Sequence, residues 1–174
     1  MYLSHEDIII RNAESADCPL LARWWNDGKV MAHAGFPMGL NTTPEKIRES
    51  IAADADDTRR RLILEYKSTP IGEMSYRVNA DSECEIGIKI CEFSCQEKGI
   101  GRKALSLLIR SLFEAGYKKI VLDTNLTNTR AQHVYELLGF QKTGIRYDSW
   151  RDQLGKLQSA VDYELTEDTF RSFL

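Results

Sequence analysis

Residues 83–102 read ECEIGIKICEFSCQEKGIGR, in which a strand-like apolar run over 85–90 leads through a short link to two closely spaced glycines. Gly99 and Gly101 let the main chain approach a ligand closely and turn its N–H groups outward. An apolar helical pattern over residues 102–115 follows directly, so the free amides and the positive dipole end of a helix start lie at the same place. The stretch therefore predicts a binding site for a phosphate or diphosphate.

The elements around this stretch follow from apolar periodicity and turn residues. Strands are predicted over 61–66, 71–78 and 83–90, joined by short turns at residues 67–70 and 79–82, and they form an antiparallel meander. The remaining predicted elements are a strand over 8–11, a helix over 12–27 that ends at Gly28, a helix over 44–55 capped by Thr43, a strand over 119–124, a helix capped by Thr127, and strands over 140–147 and 159–165.

This order is β-α-α-β-β-β-α-β-α-β-β, in which residues 83–124 form the one clear βαβ unit. It predicts an α/β fold: a mostly antiparallel mixed sheet of about seven strands with helices on both faces. The 174 residues suit a single domain over 1–174, with a hydrophobic content of 43% that can supply one core.

Composition narrows the function classes. The net charge of −3 argues against a nucleic-acid partner, which usually needs a basic face. We expect a cytoplasmic protein without membrane attachment, because there is no long apolar run and no signal-peptide pattern. We also expect no metal, because the four cysteines lack C-x-x-C spacing and the three histidines are scattered.

One alternative interpretation of the glycines is a dinucleotide site. The hexapeptide GIGRKA (99–104) fits G-x-G-x-x-G/A, and Asp123 stands at the end of the next predicted strand, where a ribose-binding acid belongs. However, residues 91–98 separate the strand from Gly99, although the fingerprint needs its glycines directly after the strand. The residues after 124 are also too few for a second nucleotide-binding half.

Three segments in order favour another class: EIGI (85–88), Q-x-x-G-x-G (96–101) and N-x-x-A-x-x-x-Y-x-x-x-G-F (128–140). Over about residues 60–166 the chain resembles the GNAT family of acyl-CoA-dependent N-acetyltransferases. The resemblance implies a GNAT-like fold and acetyl-CoA as the acyl donor. It places the diphosphate on the loop amides and the pantetheine arm in a gap between the strands over 83–90 and 119–124. Gly87, a glycine within a strand, fits a bulge or a close main-chain approach there.

The residues that the resemblance assigns to the cofactor share this loop and gap, with Arg102 and Lys103 adding charge. The cofactor-binding residues it implies are Ile88, Ile90, Gln96, Glu97, Lys98, Gly99, Ile100, Gly101, Arg102 and Asn128.

Two residues are candidates for catalysis. Tyr135 matches the family's helix tyrosine and is expected to donate a proton to the departing sulfur of CoA. Glu85 is expected to act as the general base, with Glu73 and Glu83 as competitors on nearby strand positions. Because no Ser-His-Asp or Cys-His set is evident, we expect direct attack in a ternary complex.

The expected function is transfer of an acetyl group to a primary amine of a small molecule or peptide. The acceptor is left open between an aminoglycoside, a protein N-terminus, a polyamine and other amines, and a homodimer is also left open. Residues 31–43 and 147–156 are the expected specificity segments. The alternatives are an NAD-type oxidoreductase and a non-catalytic acyl-CoA-binding sensor.

Overall fold

The computed structural model describes residues 1–80 and 82–174, so the part of the predicted 79–82 turn at Asp81 lies outside the described residues. The strands are β1 (Tyr2–His5), β2 (Ile8–Asn12), β3 (Arg59–Tyr66), β4 (Thr69–Ala80), β5 (Glu83–Ile90), β6 (Lys119–Asn125), β7 (Gln141–Arg151) and β8 (Leu157–Thr166). The α-helices are α1 (Cys18–Asn26), α2 (Gly28–Met31), α3 (Pro44–Ala52), α4 (Ile100–Glu114) and α5 (Thr129–Leu137).

All eight strands form one sheet in the order β1-β2-β3-β4-β5-β6-β8-β7. Neighbours are antiparallel except for β5 and β6, which are parallel and are joined through α4. This confirms the mixed, mostly antiparallel sheet with one central βαβ unit. The additional strand is β1, a four-residue edge strand that pairs with β2. Its sequence, YLSH, has no apolar run that would reveal a strand.

Helices cover both faces of the sheet, as predicted. Leu62 and Leu64 of β3 are fully buried in the cluster that includes α4 and α5. Ile63, between them, is fully buried in the cluster that includes α1 and α3. Because successive side chains of a strand point to opposite faces, this run of three buried residues shows that β3 is covered on both sides.

Helix boundaries differ from the sequence prediction at several points. The first helix was predicted from residue 12, which lies in β2, but α1 begins at Cys18, and α3 ends at Ala52 instead of residue 55. Two predicted helix ends were also assigned to the wrong residue. Gly28 does not end the first helix region but begins α2, whose N-cap is Asp27, the carboxylate of which accepts the amide of Lys29 at 2.8 Å. Thr127 does not cap α5. Its hydroxyl donates to the side chain of Asn125 at 2.8 Å, and the cap is Asn128. Both errors arise where several residues able to cap a helix follow one another, so the pattern alone could not choose between them.

None of the described helices combines the length and apolar composition needed to cross a bilayer.

Candidate active site

The central feature of the site is a divergence between β5 and β6. The two strands pair at only three positions, the last of which is Glu85 opposite Val121. Beyond that point β5 continues to pair with β4 as far as Ile90, and β6 continues to pair with β8 as far as Asn125. Each strand therefore follows its outer neighbour, and a wedge-shaped gap opens between them.

Main-chain groups of β5 line this gap. The carbonyl of Ser82, just before β5, accepts an amide of β6 at 3.1 Å, whereas the amide of Cys91, just after β5, donates to a carbonyl of β4 at 2.8 Å. Since main-chain groups alternate sides along a strand, even-numbered residues of β5 face β6. Ile88 and Ile90 lie past the last pair, so their amides and carbonyls face the gap. The carboxamide of Gln96 donates to the carbonyl of Ile90 at 2.8 Å.

Gly87 stands where the strands separate. The pairing of β4 with β5 shows no register shift at this position, so Gly87 is not a bulge. A Cβ at Gly87 would lie 3.1 Å from the hydroxyl oxygen of Ser75 on β4. Because Gly87 has no side chain and the neighbouring Ser75 has a small one, no large side chain from these two positions covers this part of the odd-numbered face of the sheet.

The glycine loop presents free donors at the mouth of the gap. Glu97 and Gly99 have positive φ angles of 60° and 77°, and Gly99 is the N-cap of α4 without any side-chain acceptor for the first turn. The amides at the start of α4 are therefore available to an external anion. Gly101 packs on the end of β5, because a Cβ there would lie 3.3 Å from the Cδ1 of Ile90.

The two cations predicted to serve this loop have other contacts. The Arg102 guanidinium lies 4.8 Å over the ring of Phe173 and beside Gly99. The Lys103 ammonium pairs with Glu6 at 2.7 Å. Lys103 is thus directed toward β1 and away from the gap, while Arg102 is held at the edge of the loop.

Sequence reasoning missed a third cation, Arg130. It lies in the first turn of α5 and extends across the mouth of the gap, where it donates to the side chains of Gln96 at 2.9 Å and Glu97 at 3.3 Å. Its position between Asn128 and Ala131, in the third of the recognised segments, was the available signal.

Tyr135 lies on the inner side of α5. Its ring is 7% exposed and contacts Tyr163 and Phe140, each with centroids 5.8 Å apart. Its hydroxyl has no hydrogen bond to another described residue, and no fully buried side-chain polar atom in the described chain lacks a partner. The hydroxyl therefore keeps contact with solvent. Burial, with the negative charge of Asp123 adding to it, raises the pKa of Tyr135 to about 12, so the phenol stays protonated at neutral pH.

Glu85 lies on the odd-numbered face, at the last paired position. It forms an ion pair with Arg77 and lines an open cavity of about 300 Å³. The cavity wall also includes Asp123 and Asp162, both paired with Arg146.

The two competing glutamates have different surroundings. Glu73 accepts the indole N–H of Trp25 at 2.8 Å and pairs with Lys89 at 3.0 Å. Glu83 pairs with Lys119 at 2.7 Å at the closed end of the β5–β6 pair, and the hydrogen bond from Lys119 holds the pKa of Glu83 below its usual value. Glu83 is therefore farther along β5 from the gap than Glu85, whereas Glu73 lies on β4 opposite Lys89.

The two segments expected to set specificity are joined to each other. The amide of Gln153, at the tip of the β7–β8 hairpin, donates to the carbonyl of Gly35 at 2.8 Å, and its side chain bonds to the main chain of Met38 and Gly39. Trp150 lies so close to Gly35 that a Cβ there would be 2.4 Å from its ring. The loop after α2 and the final hairpin thus form one continuous wall.

The dinucleotide interpretation finds no support in this arrangement. Among the described strands only β5 and β6 are parallel, and the Asp123 carboxylate pairs with Arg146. A dinucleotide fold needs several parallel strands with the glycines directly after one of them.

Comparisons with solved structures support the fold. A ribosomal L7/L12 alpha-N-protein acetyltransferase in complex with coenzyme A superposes with a TM-score of 0.84 at 15% identity, over 97% of this chain and 99% of that one. A spermidine N-acetyltransferase from Vibrio cholerae in complex with CoA and spermine gives 0.81 at 19%, over 95% and 98%. The protein yncA of Salmonella typhimurium, with acetyl-CoA, gives 0.75 at 21%, over 92% and 94%.

Sequence comparison assigns the family. An uncharacterized protein of Methanocaldococcus jannaschii is 42% identical over 67 residues, which are 38% of this chain and 14% of that protein's length. The family described as "Acetyltransferase (GNAT) domain" matches residues 7–141, which is well over half of the chain. The resemblance stated from three short segments is thereby confirmed, and the chain belongs to the GNAT family of acetyltransferases.

Proposed function

We propose that this acetyltransferase moves the acetyl group of acetyl-CoA to a primary amine of a small molecule or peptide, by direct attack within a ternary complex. One observation carries the proposal: β5 and β6 stop pairing after Glu85 and Val121, and the uncapped start of α4 lies at the mouth of the resulting gap. An extended chain bearing amides and a diphosphate matches both features, because it needs main-chain partners along its length and amide donors at its end.

The donor would lie along the gap. The main-chain groups of Ile88 and Ile90 would pair with the pantetheine amides, as an added strand pairs with a sheet edge. The loop amides over residues 96–101 and the start of α4 at Arg102 would receive the diphosphate. Asn128 caps α5 by accepting the amide of Ala131 at 3.3 Å, so its contribution would be to fix the start of that helix beside the cofactor.

The acceptor would approach from the odd-numbered face, over Gly87. A free alkyl amine is mostly protonated at pH 7 and must lose a proton before it attacks. Glu85 lies on that face one pleat from Gly87 and lines the open cavity, so it is the proposed base, acting directly or through water. Nitrogen then bonds to the acetyl carbon, the C–S bond breaks, and the amine's second proton leaves after the bond forms.

Tyr135 would assist the departing sulfur. With a pKa of about 12, its phenol is a weaker acid than an ordinary thiol, whose pKa is about 8.5. The hydroxyl would therefore stabilise the developing thiolate chiefly as a hydrogen-bond donor, and the sulfur would take its final proton from solvent or from the proton released by the amine.

The test has two stages. Thermal melting with acetyl-CoA, CoA and NAD comes first, and we expect stabilisation by the first two only. A panel of amines, including polyamines, aminoglycosides and peptides with free N-termini, is then screened for release of free thiol. Stabilisation by NAD alone would contradict the proposal. Binding of acetyl-CoA without thiol release from any amine would instead favour a non-catalytic acyl-CoA sensor.

A further inference from the structure

The wall formed by residues 31–43 and 147–156 stands beside the space above Gly87. At one side the sulfur of Met31 lies 3.1 Å from the ammonium of Lys89, whose side chain is on the same face of β5 as Gly87. Farther along, the helical turn Ala32–Ala34 lies against β6, the other strand that borders the gap. An acceptor longer than the space above Gly87 therefore lies along this wall.

The acids around this space offer little free negative charge to a polycation. Four of them are already held by cations of the same chain: Glu85 by Arg77, Asp123 and Asp162 by Arg146, and Glu73 by Lys89. The remaining acid of the cavity wall, Glu164, adds to Glu83 in raising the pKa of Lys119. A guanidinium binds carboxylates through a rigid fork of donors, so the ammonium groups of a polyamine or an aminoglycoside are poor competitors for these acids.

The tip of the wall, by contrast, exposes apolar side chains. Met38 is 72% exposed, Leu154 65% and Phe36 36%. Met38 and Leu154 adjoin, because the amide of Met38 donates to the carboxamide of Gln153 at 2.8 Å and Leu154 follows Gln153 in the chain. The charges of residues 147–156 cancel, since this segment holds two acids and two bases. Exposed apolar side chains that are grouped in this way mark a contact surface.

The cavity beside Glu85 is too small and too open to bind an acceptor by itself. Its volume of about 300 Å³ lies at the lower limit for ligand sites, and much of its wall consists of charged side chains that are already paired. Binding energy for the acceptor must therefore come from parts of the molecule remote from the reacting amine. The apolar tip of the wall supplies a surface for such contacts.

We propose that the acceptor is the N-terminal α-amine of a peptide whose following residues are apolar and pack on Phe36, Met38 and Leu154. The inference rests on the proposed function, because it names the acceptor of that reaction. The nitrogen of the α-amine bonds to the acetyl carbon, and the C–S bond breaks. Of the two protons that the ammonium form loses, one ends on the sulfur of CoA and the other in solvent.

An α-amine also suits a carboxylate base. With a pKa of about 8, about a tenth of it is neutral at pH 7, whereas an alkyl amine with a pKa of about 10.4 is neutral in less than about a thousandth of its molecules. The carboxylate therefore has less to do for an α-amine than for the amine of a lysine or a polyamine.

The experiment measures kcat/KM by thiol release at saturating acetyl-CoA. The acceptors are spermidine, kanamycin and two hexapeptides that begin with alanine and carry either leucine or aspartate at both the second and third positions. The leucine peptide should be used about tenfold more efficiently than each of the other three, because only its side chains bury apolar surface on the wall. The same peptide with a blocked N-terminus and a lysine at its end should release no thiol.

A double variant tests the apolar tip directly. Met38→Ser combined with Leu154→Ser should lower kcat/KM for the leucine peptide about tenfold, because apolar contacts are lost. The values for the aspartate peptide and the dissociation constant of CoA should stay near wild type. Tyr2→Ser is the matched control, since Tyr2 is 66% exposed on β1, at the opposite edge of the sheet from the β7–β8 hairpin, and all its values should equal those of wild type. Melting temperatures close to wild type confirm that the variants are folded.

Three kinetic results would overturn the inference and leave the proposed function standing: equal use of the two peptides, preferred use of spermidine or kanamycin, or equal losses in the double variant and in Tyr2→Ser. Sedimentation equilibrium adds a fourth. A wild-type dimer that the double variant dissociates, with no change in peptide preference, would show that a second copy of the chain covers the tip. Thiol release from none of these amines would instead overturn the proposed function, and this inference with it.

Discussion

The two ends of the β5–β6 pair behave in opposite ways. At the closed end Glu83 pairs with Lys119, and the carbonyl of Ser82 accepts the amides of Lys118 and Lys119. At the open end Ile88 and Ile90 turn their main-chain groups toward a strand that has moved away. Unpaired main-chain groups are costly when they are buried, so an open end is kept only where water or a ligand can reach it. The comparison shows that the open end leaves room for a ligand and that the paired end holds the two strands together.

What holds the open end apart is the pairing on its outer sides. β4 pairs with β5 along its whole length, and β8 pairs with β6 from Lys119 to Asn125. Closing the gap would therefore break hydrogen bonds in two other ladders. The gap stays open without a ligand because β5 is hydrogen-bonded to β4 and β6 is hydrogen-bonded to β8.

The largest effect is expected from Glu85→Gln, at the boundary between the two ends. If Glu85 is the base, kcat should fall about 10³-fold, within the range usual for general-base catalysis, and the acid limb of the pH–rate profile should disappear. Steady-state kinetics across pH would measure this. Glu73→Gln is the comparison variant. An unchanged kcat and acid limb in Glu85→Gln would remove Glu85 from this role.

A smaller loss, of about 10²-fold in kcat, is expected for Tyr135→Phe, which keeps the packing and deletes the hydroxyl. In the wild-type chain the pKa of Tyr135 is about 12, above the usual value of 10, so its hydroxyl stays protonated below about pH 10. The loss should therefore be the same at every pH from about 6 to about 9, without a new titration. Full turnover by this variant would exclude Tyr135 as a donor to the sulfur.

A more modest effect is expected from a side chain that fills the space above Gly87. Gly87→Val would bring side-chain atoms against Ser75, so we expect the kcat/KM for the amine to fall about tenfold through misplacement of the acceptor, with CoA binding largely kept. Gly144→Val on β7 is the matched control, because a Cβ there meets no atom within 4 Å. Equal effects of the two substitutions would show that the space above Gly87 has no special role.

The smallest effect is expected at the closed end. Glu83→Gln removes an ion pair whose two side chains are both partly exposed, so the Tm should change by about 2 °C or less and the kinetics should stay near wild type. Differential scanning calorimetry and the same amine assay would check this. A loss of activity comparable to that of Glu85→Gln would show instead that Glu83 is the base.

Much of the fold was predictable because its signals are local. The alternation of apolar residues marked the strand Glu83–Ile90 at its observed limits, and the helical spacing after Gly101 marked α4 to within two residues at its start. The failures lie where local signals are weak or repeated: β1 is short and polar, and Asn125, Thr127 and Asn128 compete for the same end of a helix. For the candidate site, the spacing of motifs selected Tyr135 and the loop. Arg130 lies within the third segment, but its contact with the loop could not be predicted from that spacing.

The sequence by itself determined where a glycine loop would lead into a helix, since paired glycines before an apolar helix need no distant residue to define them. It also determined the order of the longer strands and helices, and its three short segments indicated the family. Only the tertiary structure decided where β5 and β6 separate, which cation reaches the loop, and that the loop after α2 meets the last hairpin. These features depend on pairings between residues far apart in the chain. Such pairings are set by the register and packing of whole strands and helices, which cannot be predicted from any one short segment of sequence.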